Sequence, residues 1–138
     1  MTATTASDQV ELIVPVRPRF GSTLRVLTSA LAADCGFSID EIDDIRLGLS
    51  EVFNVLSDTV SGEQEASEGH RVRVTFRPGQ DHLAVTVHSI PGHSAPLEFD
   101  ELATSILRSV LDDITIDAEG VSMAKRASEA HAPTDAES

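Results

Sequence analysis

The sequence predicts an α+β fold: a two-layer α/β sandwich in which one mixed, mostly antiparallel sheet carries its helices on a single face. Three observations predict it. Short stretches with period-two alternation of apolar residues come in pairs around tight turns, the pattern of antiparallel hairpins. Longer stretches repeat apolar residues every three or four positions, the pattern of helices with one apolar stripe. The order is strand, helix, helix, two strands, helix, two strands, so the helices share one sheet to cover. The other sheet face stays partly polar, with Arg71, Arg73, Thr75 and Arg77 on it.

The first strand is Val10–Val16, with Val10, Leu12, Val14 and Val16 on one face. Pro15 lacks an N–H, so it points to a sheet edge or a bulge. Arg17–Gly21 reads as a loop. Ser22 or Thr23 caps a helix running to about Ala33, with Leu24, Leu27 and Leu31 as its stripe and Gly36 as its stop. The second helix, Asp40–Leu56, organises the chain. Ile42, Ile45, Leu49, Val52 and Leu56 form its stripe, and Ser38 or Asp40 caps it. Acids at 40, 41, 43 and 44 suit the positive end of its dipole. Gly48 lowers helix propensity by about 1 kcal/mol against Ala, so it implies close packing.

Asp58–His70 reads as a loop. Arg71–Arg77 and Leu83–Val87 form a hairpin around Pro78–Asp81, and Ser89–Glu98 is a loop rich in Pro, Gly and His. Phe99, Leu102, Ile106 and Val110 define the third helix, with Leu107 beside the stripe. Ile114–Ile116 and Val121–Arg126 are the last strands, around a turn at Asp117–Gly120. The expected organisation is one domain over residues 10–126, with disordered tails at 1–9 and 127–138.

Composition narrows the function. The 138 residues are 41% hydrophobic with a mean hydropathy of -0.03, as in soluble globular proteins. There is no Trp or Tyr, so the core is aliphatic. A net charge of -13 disfavours nucleic acid and anionic membranes as partners and favours a basic protein. Cys35 is the single cysteine, which excludes an internal disulfide and fits a reducing compartment. Its site lacks the positive surroundings that activate a thiol, so it reads as structural. Neither an apolar leader nor a membrane-spanning run is evident, so a cytoplasmic protein is expected. His82, His88 and His93 do not have metal-ligand spacing, and no metal site is expected.

Glu51 stands apart on the second helix, because it points roughly opposite the apolar stripe. Arg46-Leu47-Gly48-Leu49-Ser50-Glu51-Val52-Phe53 resembles the first nucleotide motif of the bacterial anti-sigma regulatory factor / serine-protein kinase family. That family belongs to the superfamily of histidine-kinase-like ATPases. The resemblance spans roughly Val10 to Arg126. It implies the histidine-kinase-like ATPase fold, ATP with Mg as cofactors, Glu51 as general base, and an Asn one turn later holding the metal and phosphates. Val55 occupies that Asn position, and Asn54 comes one residue early.

The family's second motif, Asp-x-Gly-x-Gly, corresponds to Val87-His88-Ser89-Ile90-Pro91-Gly92. His88 stands for the adenine-binding Asp, Ile90 for the first Gly, and Gly92 survives. The third motif is a glycine-rich lid before the third helix. Its counterpart, Glu101–Arg108, has no glycine, and acids at 98, 100 and 101 sit where phosphates would bind. The residues the resemblance implies for nucleotide binding are therefore Asn54, His88 and Gly92, with Glu51 in the catalytic position.

What the resemblance implies for function is an anti-sigma factor that sequesters an alternative sigma factor in a bacterial stress response, with weak or lost ATP binding. An anti-sigma-factor antagonist is its second expected partner. The acidic charge independently suits a basic partner, because it raises the on-rate by steering. The alternative is a divergent ATP-dependent serine-protein kinase acting on the antagonist. A nucleotide-free scaffold that works as a homodimer is a further reading.

Overall fold

The spine of the sheet is a strand whose side chains alternate between an apolar core face and a mostly charged outer face. In the computed structural model, which describes residues 8–61, 69–90 and 96–128, that strand is β2 (Arg71–Pro78). Val72, Val74 and Phe76 are fully buried on one side, while Arg71, Arg73 and Arg77 are exposed on the other. The remaining strands are β1 (Val10–Pro15), β3 (His82–Ile90), β4 (Asp113–Asp117) and β5 (Gly120–Arg126). They form one five-stranded sheet in the order β1-β2-β3-β5-β4, antiparallel at every pairing. β1 is an edge strand, which is where Pro15 can sit without leaving a partner unpaired.

Three helices cover the inner face: α1 (Gly21–Asp34), α2 (Ile39–Ser61) and α3 (Glu101–Val110). α2 packs between the other two. Its predicted stripe is the core of the molecule: Ile45, Leu49, Val52 and Leu56 are each at most 1% exposed, with Ile42 partly buried against them. Gly48 does pack closely. A Cβ there would lie 3.2 Å from the side chain of Leu111. Val14, Val16, Leu24, Phe76, Leu83, Val85 and Leu107 complete one continuous apolar core.

The helix ends are set by specific chemistry. The α1 terminus is a Schellman motif: the Gly36 N–H donates to Ala33 O at 3.2 Å and the Phe37 N–H to Ala32 O at 3.3 Å. Gly36 takes φ +85°, which favours glycine. α2 opens with a capping box. The Glu41 N–H donates to Ser38 Oγ at 3.2 Å, and the Ser38 N–H donates to Glu41 Oε1 at 2.8 Å. The second Glu41 oxygen accepts from the Ser128 N–H at 2.7 Å, so one carboxylate ties the start of α2 to the residues after β5. Glu41→Ala should cost about 2 kcal/mol, between the worth of a cap and that of a charge-assisted hydrogen bond. Urea denaturation checks this, with faster amide exchange at both Ser38 and Ser128.

Four expectations are corrected. α1 is not capped by Ser22 or Thr23. A single 3₁₀ turn, Pro18–Phe20, leads straight into it, so both residues lie inside the helix and Phe20 takes the cap position without a side-chain bond. The buried face of α1 is Leu24, Thr28 and Ala32; Thr28 Oγ1 donates to Leu24 O at 2.7 Å, which satisfies its hydroxyl. α2 runs on through Asp58–Ser61 instead of giving way to a loop, because Val60 extends the stripe and is buried. The rest of that predicted loop, up to residue 68, lies outside the described residues.

The third correction concerns β3, which continues through His88, Ser89 and Ile90, paired with Arg73, Val72 and Arg71. The fourth concerns α3, which buries Ala103, Leu107 and Val110, while Leu102 is 70% exposed. The tails at 1–7 and 129–138 lie outside the described residues. Ala127 and Ser128 are held by hydrogen bonds to Asp81 and Glu41. Cys35 is buried, and desolvation pushes its thiol up; a Gly79 backbone hydrogen bond opposes the shift, and Asp34 and Asp81 add to it.

Candidate functional site

Helical spacing places Gly48, Glu51 and Val55 on one flank of α2, at i, i+3 and i+7. Gly48 marks where that flank points, because it meets Leu111 just beyond α3. Glu51 therefore lies one turn further along the side of α2 that faces α3. It is half-buried, and it makes no hydrogen bond or ion pair with a described residue. Val55, also half-buried, follows on the same flank, with no lone pair to offer a cation. Asn54 is exposed on the solvent side of the helix. It neighbours Glu51 at i+3 but is rotated by about 100° from Val55, the position one turn beyond Glu51.

His88 is placed elsewhere. In β3 the side chains of Leu83, Val85 and Val87 face the helices, so His88 faces the opposite side of the sheet. It lies beside Arg73 on β2, and a Cβ on Gly120 would meet its ring at 3.1 Å. The sheet separates His88 from Glu51. The inward residue is its neighbour Ser89, which lines a crevice with Leu56, Val87, Leu97 and the Asp117–Gly120 turn. The volume there is about 10 Å³, room for one water at most. Ser89 was missed because Ser89-Ile90-Pro91 reads as a turn; the alternation of Leu83, Val85 and Val87, carried two residues further, is the signal that finds it. Gly92 lies outside the described residues.

The amino end of α3 is the remaining part of the site. A helix N-terminus presents unpaired N–H groups and a positive dipole end, which suits an anion. Here the anion is the chain's own. Asp100 is the N-cap, and its Oδ1 accepts from the Ala103 N–H at 2.8 Å. The Thr104 N–H donates to Asp100 O at 2.9 Å. Glu98 and Glu101 flank the cap, both exposed. Two more carboxylates, Asp117 and Glu119, line the crevice next to Ser89. Asp117 Oδ1 is committed to the turn, accepting from the N–H groups of Glu119 at 2.9 Å and Gly120 at 3.1 Å. The amino end of α3 and the crevice beside Ser89 are therefore both rich in carboxylates.

Among the described residues no group of His, Cys, Asp and Glu could hold a metal ion, and no helix is long and apolar enough to cross a membrane. No family model matches the chain. Individual proteins do. The serine-protein kinase RsbW of Bacillus licheniformis is 28% identical over 82 residues, covering 59% of this chain and 49% of that protein. RsbW of Bacillus subtilis (strain 168) is 27% identical over 81 residues, with coverage of 59% and 49%. RsbW of Listeria innocua serovar 6a is 30% identical over 95 residues, covering 68% of this chain and 57% of that protein. The chain spans about half the length of the curated relatives it matches. The sheet with its three helices on one face is the histidine-kinase-like ATPase fold of those relatives. This chain is a divergent homologue of proteins named serine-protein kinase RsbW, at 27–30% identity to these three.

Proposed function

We propose that this protein binds and sequesters an alternative sigma factor in the bacterial cytoplasm, that an antagonist protein controls it, and that it binds Mg·ATP weakly or not at all. The observation that carries the reading is the amino end of α3, where the Asp100 carboxylate already caps the helix, taking the Ala103 N–H and placing a negative charge where a phosphate would sit. The site does not fit the nucleotide in two other respects. Val55 stands where a metal-binding Asn is required, and His88 is across the sheet from Glu51. Losing a hydrogen bond to a charged group costs about 1.5–3 kcal/mol. Two such losses weaken affinity by roughly a hundredfold or more, at 1.4 kcal/mol per tenfold. Binding of a basic protein surface needs none of these groups, and the net charge of -13 favours it.

Two measurements test the reading. Calorimetric titration with Mg·ATP should give no saturable heat up to about 1 mM, the affinity that corresponds to 4.1 kcal/mol. Micromolar affinity would overturn the nucleotide part. Affinity capture from the native cytoplasm should recover a sigma factor, and its absence would overturn the sequestration part.

A second reading rests on Glu51, which is half-buried, on the α3 side of α2, and without a hydrogen bond or ion pair to a described residue. A general base needs that kind of availability. In this reading the protein is a divergent serine-protein kinase acting on its antagonist. Transfer of labelled phosphate from ATP to a serine of the antagonist, lost in Glu51→Ala, would favour it over sequestration alone.

A further inference from the structure

The sheet face that the helices leave uncovered carries charge of the opposite sign to the molecule as a whole. Side chains alternate across β2, so Arg71, Arg73 and Arg77 all project from the outer face, and all are exposed. Arg126 on β5 is exposed on the same face, opposite His82 of β3. Three acids share that face. Glu11 is on edge strand β1, and Asp113 and Asp117 are on edge strand β4. None of them is in ion-pair contact with these arginines. Among the described residues the ion pairs are Arg46–Asp43, His82–Asp81 and Lys125–Asp44. Arg77 gives one N–H to Thr86 Oγ1 at 3.2 Å. In a chain with 23 acidic residues, these four guanidinium groups thus share one sheet face and make no ion pair with a described carboxylate.

We propose that this face docks an acidic, extended segment of a partner protein, with Arg71, Arg73, Arg77 and Arg126 receiving its carboxylates. Spacing supports an extended segment. Residues two apart on a strand are separated by about 6.6–6.8 Å, so the arginines of β2 match acids at alternate positions of a peptide lying along it. Arginine is the side chain suited to forked contacts with carboxylates. Nucleic acid is disfavoured, because the net charge of -13 repels a polyanion of uniform high density. A symmetric pairing of two such faces would set arginine columns against each other. The inference is independent of the sigma-factor reading, which draws on the acidic charge of the protein and on the helix layer.

The test uses the full chain and a fluorescein-labelled peptide of alternating Glu and Thr, read by anisotropy at low salt. Saturable binding that weakens as salt rises is expected, with no binding of the matching Lys–Thr peptide. Arg73→Gln combined with Arg77→Gln should weaken binding about tenfold or more while leaving the melting temperature unchanged, since both side chains are solvated. Should that pair fail to fold, Arg126→Gln alone should still weaken binding measurably. Backbone amide shifts caused by the peptide should concentrate in β2 and β3. Equal affinity of the arginine variants would overturn the proposal, as would shifts confined to the helices. Equally tight binding of single-stranded DNA would replace it with a nucleic-acid face. Sedimentation showing a dimer that the arginine variants dissolve would assign the face to self-association.

Discussion

Phe76→Ala should destabilise the protein by about 3–5 kcal/mol, the range for removing a buried aromatic ring. Phe76 is 0% exposed and heads the fully buried side chains by volume. It sits at mid-sheet, opposite Val10 of β1 and Val85 of β3. The core around it is mostly aliphatic, with no Trp or Tyr in the chain and with Phe37 and Phe53 buried in the same cluster. Domains are typically stable by about 5–15 kcal/mol, so the loss takes about a fifth or more of the total. At a urea slope of about 2 kcal/mol/M, the midpoint should fall by about 2 M. Phe76→Leu, which keeps most of the volume, should cost under about 1.5 kcal/mol. Equal losses for the two variants would show that the site collapses freely around a cavity.

Gly120→Ala should cost about 2–4 kcal/mol, combining overpacking with backbone strain. Gly120 opens β5 directly after the turn that Asp117 Oδ1 organises. A Cβ there would run into the Val87 carbonyl oxygen on β3, and φ is +156°. The obstacle is backbone inside a ladder, so no side-chain rotation relieves it. The β3–β5 pairing must open instead, which exposes Val87 and Val121. The matched control is Gly79→Ala, where the nearest atoms belong to the exposed His82 ring, which can move aside. Its loss should be smaller by 1 kcal/mol or more, on the scale of a single core adjustment. Denaturation of the two variants side by side checks the difference.

Much of this was legible in the residues. The stripe of α2 needed only helical spacing, because five large aliphatic side chains left no competing face. Gly48 and Gly36 could be read because glycine in a helix or just past one has few purposes. α3 could not be read so directly. Leu102, Ile106 and Val110 satisfy helical spacing as well as Ala103, Leu107 and Val110 do, and hydropathy favours the larger residues. Packing against α2 decides for alanine, since a small residue lets the two helices approach. The caps show the same limit. Of the two caps read for α2, Ser38 and Asp40, the structure uses Ser38, whereas Ser22 and Thr23 offered hydroxyls to a helix that had already begun. The end of β3 was hidden for a local reason: the chain looks like a turn before the ladder ends, and one strand residue separates the outward His88 from the inward Ser89.

Lys125 and Leu111 together fix how α3 can respond to anything that touches it. The buried Lys125 ammonium donates to the Val110 carbonyl at 2.9 Å and lies 3.6 Å from Asp44 of α2, while Leu111 fills the notch at Gly48. Both attachments are at the same end of the helix. The carboxyl end of α3 is thus tied both to the neighbouring helix and to the sheet, one turn along α2 from Glu51.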